Sequence, residues 1–267
     1  MAFGRPRYEL KYVISPATAA AIAGRLTGRC HVDAHGIDGY YVNESLYFDS
    51  PRFDFFFHKL DGVKLRKKVR IRRYGDRGPW QKVFVEIKSR KGPYISKSRF
   101  SMDPPSVPLL GNPLQQTLRP ESLTPPEAGV YHEVISLARL FQLRPVIFIR
   151  YTRRSFWAEG DERLRITFDR DLSYDTVNQD CFRPLENSQP ILQADQIVME
   201  VKANGSVPLW LLELIQEYEC TMVRLSKYCL GVQAAHGLGG ASFTAAKSRL
   251  PLHSLIDQLG TTFSTTF

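Results

Sequence analysis

The stretch KLRKKVRIRRY, residues 64–74, places seven cations in eleven positions, with Leu65, Val69, Ile71 and Tyr74 between them. Successive side chains of a β-strand point to opposite faces, and the alternation here has that period. Lys64, Arg66, Lys68, Arg70 and Arg72 fall on one face, while Leu65, Val69 and Ile71 share the other with Lys67 and Arg73. A disordered basic tail needs no apolar register, and a strand buried on both faces would not tolerate so many ions. Same-face cations repel one another by up to about 1 kcal/mol per close pair even in a water-like dielectric. A bound anion relieves that cost, so this face is expected to line a cavity built for a polyanion.

Other segments divide in the same way. RYELKYVI (7–14) sets Arg7, Glu9 and Lys11 against Tyr8, Leu10 and Tyr12, and VFVEIKSR (83–90) sets Glu86, Lys88 and Arg90 against Val83, Val85 and Ile87. LRITFD (164–169) opposes Arg165, Thr167 and Asp169 to Leu164, Ile166 and Phe168, and IVMEVKA (197–203) opposes Glu200 and Lys202 to Ile197, Met199 and Val201. Gly75, Gly78 and Pro79 supply a turn that makes a hairpin of the second and third basic segments. Further strands are expected over 41–49 and 144–156. Helices are expected after the Ser15-Pro16 cap, over 127–142, over 207–218 and over 222–232, with 103–126 as loop holding one short helix.

An antiparallel sheet with one face in water explains any one of these strands. Together they are dominated by Arg and Lys with single carboxylates at intervals, and this favours a barrel whose apolar faces point outward under helices. Its cations then surround a wet tunnel. Polyphosphate suits such a tunnel, because its oxygens accept the forked donors of arginine in pairs. The isolated carboxylates suit a hard divalent ion such as Mg²⁺ or Mn²⁺, which takes one or two carboxylates plus phosphate oxygens. An internal salt bridge to a neighbouring arginine accounts for each of them equally well.

At 267 residues and 43% hydrophobic, the chain can bury the core of one large domain, expected over 1–237, with 238–267 a loosely ordered tail. The net charge of +9 calls for an anionic partner without selecting one. The four cysteines form no C-x-x-C pair, the N-terminus holds no signal-like apolar stretch, and no window is long enough to span a membrane, so a cytoplasmic location is expected. His31 and His35 read as a surface pair rather than metal ligands. Lys64–Arg73 with Tyr74 and Trp80 could meet nucleic acid. Carboxylates on the same faces speak against a phosphate-backbone groove, and no specific nucleic acid is expected.

The ordered series RYELKY, SLYFDS, KVRIRRYG, VFVEIKSR, SKSRF, YTRRSF, LRITFD, VMEVK and RLSKY resembles the VTC domain, the polyphosphate polymerase module of the vacuolar transporter chaperone family. That family lies within the CYTH, or triphosphate tunnel metalloenzyme, superfamily. The resemblance implies an α+β fold with an antiparallel eight-stranded β-barrel tunnel of basic interior, covered by helices. It implies transfer of the γ-phosphate of ATP onto pyrophosphate or polyphosphate with Mn²⁺ or Mg²⁺ as cofactor. Carried over by position, Lys11, Arg70, Arg72, Lys88, Arg153 and Arg165 would be the catalytic tunnel cations. Lys59, Lys97, Arg99, Lys202, Arg224, Ser226 and Lys227 would contact substrate, and Glu200, Glu86 and Glu9 would serve the metal. The superfamily's E-x-E-x-K signature reads Arg7-x-Glu9-x-Lys11 here, so one acid is missing. A tri- or polyphosphatase of the same fold remains the enzymatic alternative, and a non-catalytic polyanion-binding module the other.

Overall fold

The computed structural model describes residues 7–34, 36–75, 82–92, 94–104, 114, 118, 120–177 and 188–238, so Trp80, His35 and the expected tail beyond 238 lie outside the described residues. Its strands in chain order are β1 (Arg7–Ile14), β2 (Cys30–Val32), β3 (Tyr40–Asp49), β4 (Leu65–Tyr74), β5 (Val83–Lys91), β6 (Tyr94–Met102), β7 (Arg144–Ala158), β8 (Asp161–Asp175), β9 (Gln189–Pro190) and β10 (Ile197–Asn204). The helices are α1 (Pro16–Arg25), α2 (Asp54–Leu60), α3 (Pro125–Phe141), α4 (Leu209–Glu217) and α5 (Lys227–His236).

Eight strands follow one antiparallel path, β1-β10-β8-β7-β3-β4-β5-β6, with β2 added to β7 and β9 to β8. Lying flat, β1 and β5 would stand about 29 Å apart, six inter-strand spacings of ~4.8 Å. Instead Lys88 of β5 reaches Glu9 of β1 at 2.7 Å, so the sheet curls on itself and its basic face turns inward. The fold is the α+β, tunnel-like antiparallel arrangement expected. The ring is not completed by backbone pairing: among the described residues no ladder joins β1 to β6. Side chains span that seam, and the segment before α5 lies along the free edge of β1, where Val223 N donates to Lys11 O at 2.8 Å.

The outward faces carry the core. On one flank Val69, Ile71, Val85, Ile87 and Phe100 pack beneath Val134, Leu137 and Ala138 of α3. On the other, Leu164, Ile166, Phe168, Met199 and Val201 pack beneath Ile22 of α1 and Leu211, Leu214 and Ile215 of α4. Truncation of any one of the larger buried side chains to alanine costs on the order of 2–5 kcal/mol. Local signals place the helices: Ser15 Oγ accepts from Thr18 N at 3.0 Å at the start of α1, and Glu127 reaches back to Thr124 N at 3.0 Å at the start of α3.

α5 packs against the inner face of the sheet. Its Tyr228, Cys229 and Val232 join Tyr47, Ile147, Ile149 and Tyr151 in a core of their own, with Phe56 of α2 beside them. A Cβ on Gly231 would lie 2.3 Å from Ile149 Cδ1 and 3.0 Å from Ile147 Cδ1, so a larger residue here would force those side chains to shift. The helix expected over 222–232 begins at Lys227, because Ser226 caps it and Met222 is held in an extended bridge to Tyr12. α2 was not expected at all. Its DFFFHKL sequence has little helical propensity, and tertiary capping stabilises it: the buried Asp49 carboxylate, at the end of β3, accepts from the amides of Phe55 (2.9 Å) and Phe56 (3.0 Å).

Candidate active site

Curling the sheet and filling one end with α5 leaves a cavity of about 890 Å³ between them. The register explains its charge. Arg66, Lys68, Arg70 and Arg72 of β4 oppose Arg90, Lys88, Glu86 and Phe84 of β5, so one face of the hairpin is basic but for Glu86 and Phe84. Lys11 opposes Glu200, and Lys202 opposes both Glu9 and Arg165, which brings the ionic positions of β1, β10 and β8 together.

Glu200 lies at the centre of the deepest group and is 4% exposed. Its Oε1 accepts from Lys227 Nζ at 2.7 Å and lies 3.6 Å from Lys11 Nζ, while Oε2 is 3.0 Å from Lys202 Nζ and 3.9 Å from Arg153 Nη2. Burial alone would raise this carboxyl, but the surrounding cations hold it well below the usual carboxylate range. Asp169, fully buried, takes a forked pair from Arg153 at 2.6 and 2.7 Å and a third contact from Lys227 at 2.7 Å. Glu9 bridges Lys11 at 3.3 Å and Lys88 at 2.7 Å. Burial presses the Lys202 amine down to about 7 against the pull of Glu200.

The β4 wall is held differently. Arg72 donates to Ser45 Oγ at 2.9 Å and to Tyr151 Oη at 3.2 Å, and Lys68 donates to Ser226 Oγ at 2.6 Å. Burial brings the Lys68 amine down to about 8. Arg70 donates twice to Glu86 Oε2, at 2.8 and 2.6 Å, and once to Tyr47 Oη at 2.8 Å. Burial would raise the Tyr47 phenol, but Arg70, Arg72 and Lys68 bring it down to about 8. Ser226 also caps α5, so the positive end of that helix faces the same space.

Of the residues singled out from sequence, Lys11, Arg70, Arg72, Lys88, Arg153 and Arg165 all line this cavity, as do Lys59, Lys97, Arg99, Lys202, Ser226, Lys227, Glu9 and Glu200. Two do not. Arg224 is exposed and off the wall. Glu86 is buried behind Arg70, with Lys97 Nζ on its other oxygen at 2.7 Å, apart from the Glu9–Glu200 group. Lys64, assigned to the inward face, precedes β4 and is exposed.

A model of the VTC domain matches residues 6–236. The chain belongs to the VTC domain family. Within it, the chain is similar to vacuolar transporter chaperone complex subunit 4 of Trypanosoma cruzi, 25% identical over 223 residues, covering 72% of this chain and 28% of that protein. Subunit 2 of Schizosaccharomyces pombe is 26% identical over 148 residues, covering 52% of this chain and 20% of that one. This VTC domain thus spans little more than a quarter of the length of the curated relatives it matches. A solved protein from Hippeastrum, named as an adenylyl cyclase and described as having a dominant triphosphatase activity, aligns over 85% of this chain and 95% of its own at 12% identity with a TM-score of 0.43.

Four further residues of the VTC domain take part in the site. Asp169 and Lys68 fall on the ionic faces that the alternation of their strands assigns, though alternation gives neither a role. Tyr47 and Tyr151 could not be found this way, because a tyrosine on an inward face reads as core. Here each phenol oxygen accepts from an arginine of the wall.

Proposed function

We propose that this cavity moves the γ-phosphate of ATP onto a pyrophosphate or polyphosphate chain. The observation that carries the reading is the convergence of cations from β1, β4, β5, β7, β8, β10 and α5 on one enclosed volume with a carboxylate pair at its side. Phosphoryl transfer is mostly positioning plus electrostatic stabilisation, and the acceptor oxygen of a phosphate chain is already ionised. No nucleophilic side chain is required. Arg70, Arg72, Arg153 and Arg165 would spread the charge that gathers on the leaving diphosphate, and Lys11, Lys88 and Lys227 would hold the non-bridging oxygens. Forked arginine contacts fix orientation as well as charge.

Glu9 and Glu200 both lie within 3.6 Å of Lys11 Nζ, so two carboxylates converge on one point. Among the described residues there is no group of three or more acidic, His or Cys side chains arranged for a metal. Two carboxylates are the donor set a hard ion takes when phosphate oxygens complete its shell, and Glu9 and Glu200 would hold Mn²⁺ or Mg²⁺ on those terms once bound phosphate draws Lys11, Lys88, Lys202 and Lys227 off their oxygens. When bound, such an ion supplies charge neutralisation at the phosphate oxygens.

The competing outcome is hydrolysis, favoured by solvent access to the cavity at Lys88 and Lys97, which remain about one-third exposed (35% and 37%). Incubation with ATP, Mn²⁺ and pyrophosphate, followed by chain-length gels and a free-phosphate assay, separates the two. Long chains support the polymerase, orthophosphate alone supports the phosphatase, and neither product leaves a binding module.

A further inference from the structure

Large apolar side chains that stand exposed one at a time need no explanation. Ile37, Leu140 and Leu209, in three separate parts of the chain, are of that kind. At α2 they gather. Phe57, Leu60, Val63 and Leu65 are 40%, 46%, 38% and 58% exposed, all within one helix and the turn that follows it. The other sides of α2 account for the helix itself: Phe55 meets Phe141 of α3 at 5.0 Å, and Phe56 is buried with Tyr228 and Val232 of α5. Phe57 and Leu60, about one turn apart, serve neither of those cores.

The described chain ends beside this helix. Leu238 and Phe53, the N-cap of α2, both pack against the core that α5 shares with β3 and β7, and the ring of His236 lies 5.0 Å from that of Phe53. Farther along the sequence, Leu252, Leu255, Ile256 and Leu259 fall at i, i+3, i+4 and i+7, the spacing of one apolar helix face, with Pro251 before them and Gly260 after. A helix this short is marginal by itself in water and needs an apolar surface to form against. Reach is no obstacle. Residues 239–251 extend to about 40 Å, whereas Phe53 to Leu60 is roughly 10 Å along a helix.

We propose that residues 252–259 dock on the outer face of α2, with Leu255, Ile256 and Leu259 against Phe57 and Leu60. Size and tethering select this occupant. A free partner of stable affinity needs about 800 Å² on each side, far more than a few half-exposed side chains supply. A segment of the same chain needs much less, because a short flexible tether holds it at millimolar effective concentration. Since α2 also carries Lys59 to the cavity wall, the docked segment would brace that helix from outside. The inference stands whichever reaction the cavity performs.

The test puts a photo-reactive side chain on this face of the full chain, replacing Phe57 with p-benzoylphenylalanine, and maps the products of irradiation by mass spectrometry. Docking predicts an intramolecular cross-link to residues 250–260 whose yield is independent of protein concentration. That yield should fall about tenfold when Leu255→Asp and Ile256→Asp are added, because a carboxylate is not buried against an apolar face without a partner. Covalent dimers would make the occupant a second copy of the chain. Links elsewhere, or none, would leave the face to solvent, and an unchanged yield in the double variant would reduce the contact to tethered collision. Each of these overturns the proposal. Hydrogen exchange gives a reading free of the probe: amides of α2 should exchange about three- to tenfold faster in Leu255→Asp/Ile256→Asp than in wild type, and equal rates would also overturn docking. If thermal unfolding shows that the double variant has lost its fold, Leu60→Asp, at an exposed position on the other side of the contact, replaces it with the same loss of cross-link expected.

Discussion

On the β1–β10–β8–β7 side of the cavity each inward cation has a carboxylate: Lys11 with Glu9 and Glu200, Lys202 with Glu200, Arg153 with Asp169, and Arg165 with Asp33. On the facing side Arg70 and Lys97 share Glu86 and Lys88 holds Glu9, but Arg72 and Lys68 are held by hydroxyls, and Lys59 and Arg66 are pushed below their ordinary pKa by burial and by repulsion from Arg90. The first wall is neutralised before any ligand arrives and keeps its geometry when empty. The second carries, on Arg72, Lys68, Lys59 and Arg66, charge that an incoming anion would offset. Fixed positioning and attraction for the polyanion are therefore divided between two walls built from the same residue types.

The largest difference between the walls should appear on Glu200→Gln. The amide leaves Lys227, Lys11, Lys202 and Arg153 with one carboxylate fewer in a buried space. Breaking a buried pair in this way costs about 3–5 kcal/mol, so denaturant unfolding should show a loss of that order, together with a fall in metal-dependent turnover of at least ~100-fold. Tripolyphosphate added at saturation should recover part of the stability, because a ligand that binds only the folded state stabilises it by mass action.

Arg72→Gln should behave in the opposite sense. No carboxylate loses its partner, so the empty protein should be as stable as wild type or slightly more so, while tripolyphosphate affinity falls about 10- to 100-fold, the value of a charge-assisted hydrogen-bond donor. Isothermal titration and unfolding on the same sample measure both. A stability loss as large as that of Glu200→Gln would erase the distinction between the walls.

A smaller effect is expected from pH. Lys68 titrates near 8 because burial disfavours its charge, so the ammonium is present below that value and lost above it. Affinity for tripolyphosphate should fall about three- to tenfold between roughly pH 7 and 9, and Lys68→Met should flatten the profile. The stability of the empty protein should move the other way. Between about 8 and the ordinary lysine value of 10.5 the unfolded chain binds more protons at this group, so folding gains from rising pH across that window.

Much of this was legible in the sequence. Strand alternation over 64–74, 83–90, 164–169 and 197–203 put the inward cations on the correct face, because the period of two survives whatever the sheet packs against. The α5 end was not legible. Whether Tyr47 and Tyr151 serve core or cavity depends on how an inserted helix packs against them, through Tyr228, Cys229 and Val232, rather than on any local pattern. α2 depends on a carboxylate several residues before it. Glu86 carries the same alternation as Glu200, yet it lies behind Arg70 and off the cavity wall, which the alternation does not reveal. β6 has weak alternation, and its SKSRF segment could be placed only through the family resemblance.

A crystal structure with inorganic tripolyphosphate and Mn²⁺ tests the central assignment most directly. The account predicts phosphate density inside the cavity, within hydrogen-bonding reach of Arg70, Arg72, Arg153 and Lys227, with metal density beside Glu200. An empty cavity with the anion held on the outer faces of the sheet would contradict it.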